Sequence, residues 1–195
     1  MVGGKGLYGT AAFGSPVECS STSQDLMGVT VHFEGRLKGA QAFSSLLLYI
    51  EEVGRAETLL TERVENAHAK LRRVREERPW DYIGPTKGIL LYLHEDCEPL
   101  RLEFDRELYV QEWVKTQFAG VETHIRLIQM LRDIKRFFRT FTVNDEGEYW
   151  ESENKEALAE YIRRCNEVIA EFASKNPRAQ VKVKEPNGRL IDLIE

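Results

Sequence analysis

The sequence predicts a mixed α+β domain, and three of its patterns support that prediction. Residues 29–34 alternate apolar and polar side chains, which is typical of a strand with one buried face. Residues 121–138 and 155–174 repeat apolar side chains every three or four positions, which is typical of amphipathic helices. Residues 180–194 hold two strand-like segments around Pro-Asn-Gly, a combination that predicts a β-hairpin.

Between the first strand and the middle of the chain, residues 39–78 are predicted to be helical. Apolar residues recur there at helical spacing. One helix of that length would extend about 60 Å, which suits a small domain poorly, so we expect a break at Gly54. The pattern is weaker in residues 55–78, and the part around 71–74 is also compatible with an extended segment.

The middle of the chain predicts a second hairpin. Residues 79–88 are rich in proline and glycine, which favours a loop. Residues 89–93 and 100–105 then predict two strands joined by a short polar turn. We expect residues 106–119 to be an irregular, partly helical connection and residues 140–143 to be a short strand.

From residue 29 onward, the first six predicted elements follow the order β-α-β-β-α-β. This is the order of a split β-α-β, or ferredoxin-like, sheet with helices on one face. The prediction adds an extra C-terminal helix and a terminal β-hairpin. In such a sheet, strands 29–34 and 100–105 would be central neighbours, although the order by itself implies no activity.

Composition and length predict one domain over residues 28–195. The chain has 195 residues, of which 42% are hydrophobic and 30% charged, as in ordinary water-soluble globular proteins. Residues 1–27 are rich in glycine, serine and threonine without any apolar period, which predicts a mobile N-terminal tail.

The same features favour a cytoplasmic protein. No apolar run approaches the roughly 20 residues needed to cross a bilayer, and the start of the chain lacks the apolar core of a signal peptide. The three cysteines are far apart and odd in number, which argues against a disulfide framework. A net charge of −5 makes nucleic acid an unfavourable partner.

The favoured function is a small binding or interaction module that recognises a protein or a small ligand. Two predicted loops mix aromatic rings with long polar side chains, the residue types that line ligand and partner surfaces. The candidate binding residues are Trp80, Tyr82, Lys87, Tyr109, Gln111, Trp113, Lys115 and Gln117. The alternative is that these aromatic rings only cover the sheet edge or the helix ends.

A second hypothesis is a metal-dependent or acid/base hydrolytic enzyme. If the predicted strands are neighbours, one sheet face gathers imidazole, carboxylate and guanidinium groups. The candidate catalytic residues are His32, Glu34, His94, Arg101, Glu103 and Asp105. Of these, His32, His94, Glu103 and Asp105 could bind a divalent metal, although no metal-binding motif supports it. The competing interpretation is an exposed face with cross-strand charge pairs.

No cofactor is predicted beyond that metal alternative. RNA binding through a sheet is a weaker third hypothesis, because only Tyr92 could stack on a base there. The sequence leaves homo-oligomerisation open.

Overall fold

The computed structural model describes residues 28–76, 78–185 and 188–194. The predicted N-terminal tail, residues 1–27, lies outside the described residues. In chain order the elements are β1 (Thr30–Leu37), α1 (Ala40–Ala56), β2 (Leu60–Leu71), β3 (Val74–Arg75), β4 (Arg78–Pro79), β5 (Tyr82–Tyr92), β6 (Leu100–Phe104), β7 (Tyr109–Lys115), α2 (Gly120–Ile134), β8 (Phe138–Asp145), α3 (Tyr149–Ser152), α4 (Lys155–Lys175), β9 (Gln180–Lys184) and β10 (Leu190–Ile194). The architecture is mixed α+β, with several small antiparallel sheets and four α-helices in the described ranges.

Two three-stranded antiparallel sheets form the scaffold. One has the order β7-β1-β8 and the other β2-β5-β6, and the pairs β3–β4 and β9–β10 form separate two-stranded ladders. The consecutive strands β6 and β7 are hydrogen-bonded near their ends, from Asp105 N to Tyr109 O (3.1 Å) and from Glu98 N to Lys115 O (3.2 Å). Between these bonds the two strands form no regular ladder.

The helices cover one side of these sheets. Apolar side chains of α1, α2 and both three-stranded sheets form one buried cluster, in which Phe33, Leu46 and Leu131 are nearly or fully inaccessible. A smaller cluster packs α4 against Val29. Because strand side chains alternate, the residues between the core positions lie on the opposite side, here called the outer face.

The register of β1 defines what shares that outer face. His32 lies opposite Trp113 on β7 and Asn144 on β8. Glu34 lies opposite Gln111 in the same way. Thus two predicted catalytic residues, His32 and Glu34, share one surface with two predicted binding residues, Gln111 and Trp113, through a pairing that the sequence did not predict.

Several predicted elements are confirmed. The alternating segment at 29–34 is in β1 from residue 30 onward, and the helix at 155–174 is α4. The helix at 121–138 corresponds to α2 and a following 3-10 turn. The strands at 89–93 and 100–105 do pair antiparallel, as do the two arms of the terminal hairpin.

The helix predicted for residues 55–78 is wrong beyond Ala56. Most of that segment is the strand β2, whose only strand partner in the described structure is β5. As an edge strand it is exposed along most of its length. Its sequence therefore shows no alternation of apolar and polar residues that would have indicated a strand. Residues 82–88, predicted as loop, are the first seven of the eleven residues of β5.

The predicted irregular connection at 106–119 is also wrong, because it contains β7. As a result, β1 pairs with β7 and β8 rather than with strand 100–105. Among the described residues, no helix is both long and apolar enough to cross a membrane. Cys97 and Cys165 are free and buried, whereas Cys19 is outside the described ranges.

Candidate functional site

The connection between β2 and β5 folds over the outer face and forms one wall of the candidate site. We call residues 72–81, which include β3 and β4, the arm. The side chain of Gln111 on β7 holds it in place: its Oε1 accepts from Val74 N (2.7 Å) and its Nε2 donates to Val74 O (2.8 Å). Gln111 therefore satisfies a backbone donor and acceptor that would otherwise need water.

The arm is fixed by the buried guanidinium of Arg73. Its Nη1 donates to Asp105 Oδ2 at 2.6 Å and its Nη2 donates to Tyr109 O at 3.1 Å. The rings of Trp80, Tyr82 and Tyr109 surround it, with centroids 4.8–5.3 Å from its Cζ. These three predicted binding residues thus do come together, but the space between their rings is filled by an arginine of the same chain.

The terminal hairpin covers another part of the outer face, beside β7. Arg189 stacks on the ring of Trp113, 3.9 Å from its centroid, and donates to the Trp113 carbonyl at 3.0 Å. It also forms ion pairs with Glu98 and Glu112, and Lys115 binds Asp192 at 2.6 Å. Trp113 and Lys115, predicted as binding residues, therefore anchor this hairpin.

Between the arm and strands β1, β7 and β8 lies an open groove of about 500 Å³. Its lining includes His32, Glu34, Arg72, Val74, Trp113 and Asn144. We call this space the groove. The side chain of Arg72 makes no hydrogen bond or ion pair with any residue in the described ranges, so its charge is available at the rim.

Two outer-face residues at the groove are held in defined positions. Glu34 Oε2 accepts from Tyr109 Oη and Gln111 Nε2, both at 2.6 Å. His32 Nε2 lies 3.4 Å from Glu146 Oε1, and Glu146 Oε2 accepts from Thr30 N at 2.9 Å. The groove thus has a fixed carboxylate on its floor and an imidazole next to a second carboxylate.

The electrostatic consequences are clear for two of these groups. Burial raises the pKa of Tyr109, and the hydrogen bond to Glu34 raises it further because a phenolate would repel the carboxylate. Burial alone would raise the pKa of Glu146, but its hydrogen bonds from His32 and Thr30 outweigh this and lower it. Near neutral pH, Tyr109 is therefore a hydrogen-bond donor and Glu146 is an anion.

Two other predicted binding residues lie elsewhere. Lys87 is on the helix side, with its Nζ 4.5 Å from the centroid of the Phe43 ring. Gln117 is buried and donates to Asn166 Oδ1 of α4 at 3.1 Å. Neither lines the groove.

The predicted catalytic residues do not converge. His32 and Glu34 are on β1, whereas Glu103 is on β6, and β7 lies between these strands in the structure. Glu103 is buried and accepts from Thr86 Oγ1 (2.5 Å), Asn66 Nδ2 (3.1 Å) and Arg101 (3.2 Å). The expectation that strand pairing would bring it beside His32 is wrong.

His94 and Asp105 are likewise engaged elsewhere. His94 Nδ1 accepts from Asp96 N at 3.0 Å in the turn before β6, and Asp105 pairs with Arg73. Across the described ranges, no three His, Cys, Asp or Glu side chains are grouped closely enough to hold a metal ion.

Sequence reasoning missed the residues that organise the site. Arg73 and Arg189 had no local signal, because the partners of their side chains are 32 to 91 positions away. It also missed a buried chain in which Thr116 Oγ1 lies 2.8 Å from His124 Nδ1, and His124 Nε2 lies 3.1 Å from Asp145 Oδ2. All three are buried, which favours a structural role in joining β7, α2 and β8.

Comparisons with protein-family models, with curated proteins and with solved structures found no match to this chain, so the groove and its surroundings are interpreted from their own geometry.

Proposed function

We propose that this protein is a small binding module whose groove takes a small ligand or a short segment of a partner protein. The observation that supports the proposal most directly is the groove itself. Its volume of about 500 Å³ is within the range typical of small-molecule sites. It is bounded by a sheet on one side and by the arm on the other, so its shape is set by two anchored elements.

The lining suggests what such a ligand would look like. Val74 and the ring of Trp113 offer apolar surface, while His32, Glu34 and Asn144 offer hydrogen-bonding groups on the floor. A few polar groups in a largely apolar cleft are the usual arrangement for orienting a ligand. We therefore expect a ligand with an apolar body and a polar edge that can donate to Glu34.

The strand order also supports a more specific view of the fold. We propose that β8-β1-β7-β6, with α1 and α2, is a split β-α-β arrangement in which the β2–β5 pair is inserted between α1 and β6. The end contacts between β6 and β7 support this order. The insertion carries the arm, so the part of the molecule that departs most from a simple ferredoxin-like pattern is the part that forms the groove.

A fragment screen followed by nuclear magnetic resonance tests the binding proposal. Thr142→Trp would place a large ring in the groove, since Thr142 lines it on an exposed strand position. Thr140→Trp is the matched control, because Thr140 is exposed on the same face of β8 but does not line the groove. We expect fragments that shift the Trp113 indole and Asn144 amide signals in the wild type and in Thr140→Trp, but not in Thr142→Trp.

The proposal is wrong if no fragment shifts those signals, or if the same shifts persist in Thr142→Trp. Circular dichroism of each variant checks that the fold is retained.

The hypothesis of an acid/base enzyme now depends on fewer candidate residues. Of its six candidate residues, only His32 and Glu34 line the groove. An imidazole and a carboxylate on one wall could act as acid and base on a bound ligand. This alternative predicts that a fragment hit containing an ester would be hydrolysed by the wild type and not by His32→Gln.

A further inference from the structure

A second cavity, also of about 500 Å³, lies on the other side of the arm. Arg73 contributes to both cavities, whereas the rings of Trp80 and Tyr82 line only this one. Its walls also contain Arg75 from the arm and Arg106 from the turn after β6. We call this space the arginine pocket, and it is separate from the groove proposed above.

Two buried N–H donors are left without a partner here. Arg73 Nε and the indole Nε1 of Trp80 are both inaccessible and make no hydrogen bond to any residue in the described ranges. Arg73 as a whole is only 2% exposed. Buried donors without partners are rare in folded proteins, because each costs about 1–3 kcal/mol, so an acceptor beyond the described residues is expected.

The charges around the pocket do not cancel. Its three carboxylates are already paired within the chain: Asp105 with Arg73, Glu107 with Arg36, and Asp81 with Lys70. Arg75 and Arg106 make no ion pair with any residue that the structure describes. Arg75 lies over the Trp80 ring at 4.2 Å, which places its guanidinium beside the indole that carries an unpartnered donor.

We propose that the arginine pocket binds an anionic phosphate group. A phosphate has three strong acceptor oxygens and up to two negative charges, which match the two N–H donors and the two guanidinium groups that have no partner among the described residues. Water could satisfy the donors, whereas a phosphate would satisfy them and also pair with the exposed guanidinium groups of Arg75 and Arg106. The group could be free phosphate or part of a phosphorylated peptide, since both present the same oxygens.

Titration with inorganic phosphate, with chloride at matched ionic strength as the reference, tests this on the full chain. The readout is the indole N–H signal of Trp80, with Trp113 and Trp150 as internal controls. We expect a saturable shift of Trp80 alone. Arg75→Gln and Arg106→Gln should each weaken phosphate binding about threefold or more, as for a partly exposed ion pair.

Two further variants sharpen the test. Arg78→Gln is the control, because the backbone of Arg78 lies opposite that of Arg75 in the β3–β4 ladder, but Arg78 does not line the pocket. Trp80→Phe keeps an aromatic ring and removes the donor, so it should weaken binding without unfolding the arm. Phosphate binding to Trp80→Phe is followed through the backbone amide of residue 80, since the indole signal is lost. In a separate titration, a phosphoserine peptide that binds more tightly than inorganic phosphate would show that the pocket recognises a phosphorylated peptide.

The proposal fails if phosphate shifts Trp80 no more than chloride does. It also fails if Arg78→Gln weakens binding as much as Arg75→Gln and Arg106→Gln, because the effect would then reflect general positive charge. These outcomes are independent of the groove, whose readouts are Trp113 and Asn144.

Discussion

Two segments cover the outer face of the sheets, and each is held there by one arginine in a different way. Arg73 fixes the arm from within a ring of three aromatic side chains, and its side chain is 1% exposed. Arg189 fixes the terminal hairpin from one side of Trp113, and its side chain is 19% exposed. Both pair with buried carboxylates, so both are expected to matter for stability, but not equally.

The difference lies in what each arginine leaves behind when it is removed. Asp105, the partner of Arg73, also accepts from the backbone N–H groups of Glu107 and Tyr109, so it is fixed in the turn after β6. It cannot move toward water if its cation is lost. Arg189 is shared between Glu98 and Glu112, and the terminal hairpin that carries it could move away as a unit.

The largest effect is therefore expected for Arg73→Leu. It leaves Asp105, which is 5% exposed, without a cation, and breaking a buried ion pair by removing one partner typically costs about 3–5 kcal/mol. Equilibrium unfolding in guanidinium chloride measures the loss. Arg72→Leu is the matched control, since Arg72 is adjacent and exposed, and it should change stability by less than about 0.5 kcal/mol.

The double variant Arg73→Leu with Asp105→Asn should recover part of the loss, because no buried charge would then lack a partner. A loss below about 1 kcal/mol for Arg73→Leu alone would show that the arm is held mainly by its aromatic and Gln111 contacts.

A smaller loss, of about 2 kcal/mol, is expected for Arg189→Ala, since this arginine is less buried. The loss should also depend on pH. Burial raises the pKa of Glu112, and Arg189 partly offsets this, so removing the arginine should raise that pKa further. A carboxyl group with a raised pKa in the folded state binds its proton more tightly there, and stability falls as pH rises through that folded pKa.

Arg189→Ala should therefore be more destabilising at pH 8 than at pH 5, as measured by unfolding at both values. Adding Glu112→Gln should remove most of this difference. An equal loss of stability at both pH values would mean that removing Arg189 does not raise the pKa of Glu112.

The sequence could predict elements whose burial follows a local pattern, and it could not predict those that depend on distant partners such as Arg189. β1 was predictable because Val31 and Phe33 alternate with His32 and Glu34, and this local pattern records a one-sided burial. β7 was not predictable in the same way. Its buried positions are Val110, Glu112 and Val114, so a charged residue interrupts the apolar alternation, and its buried carboxylate pairs with Arg189, which is 77 residues later in the chain.

The prediction for β2 was wrong for a different reason. Residues such as Glu62, Ala67 and Lys70 have good helix propensity, and a mostly exposed edge strand shows no alternation to counter it. Pairing with β5 decides its conformation, and this is tertiary information. The candidate site was predicted in part: Trp113 and Gln111 do line the groove beside His32 and Glu34, but Arg72 was not singled out.

The smallest effect should come from the aromatic face beneath Arg189. Trp113→Leu keeps an apolar side chain under the guanidinium but removes the π system, 3.9 Å from it. A cation–π contact at a partly exposed site contributes about 0.5–1 kcal/mol. Because Trp113 also lines the groove, the single variant alone would mix several effects.

A double-mutant cycle with Arg189→Ala isolates the pair: Trp113→Leu should destabilise the wild type by about 0.5–1 kcal/mol more than it destabilises the Arg189→Ala variant. Hydrogen exchange in β9 and β10 should show the same difference, since the contact joins that hairpin to β7. If the two values are equal within error, the Trp113 ring contributes nothing measurable to holding Arg189, and the ion pairs and hydrogen bonds of the terminal hairpin hold it without the ring.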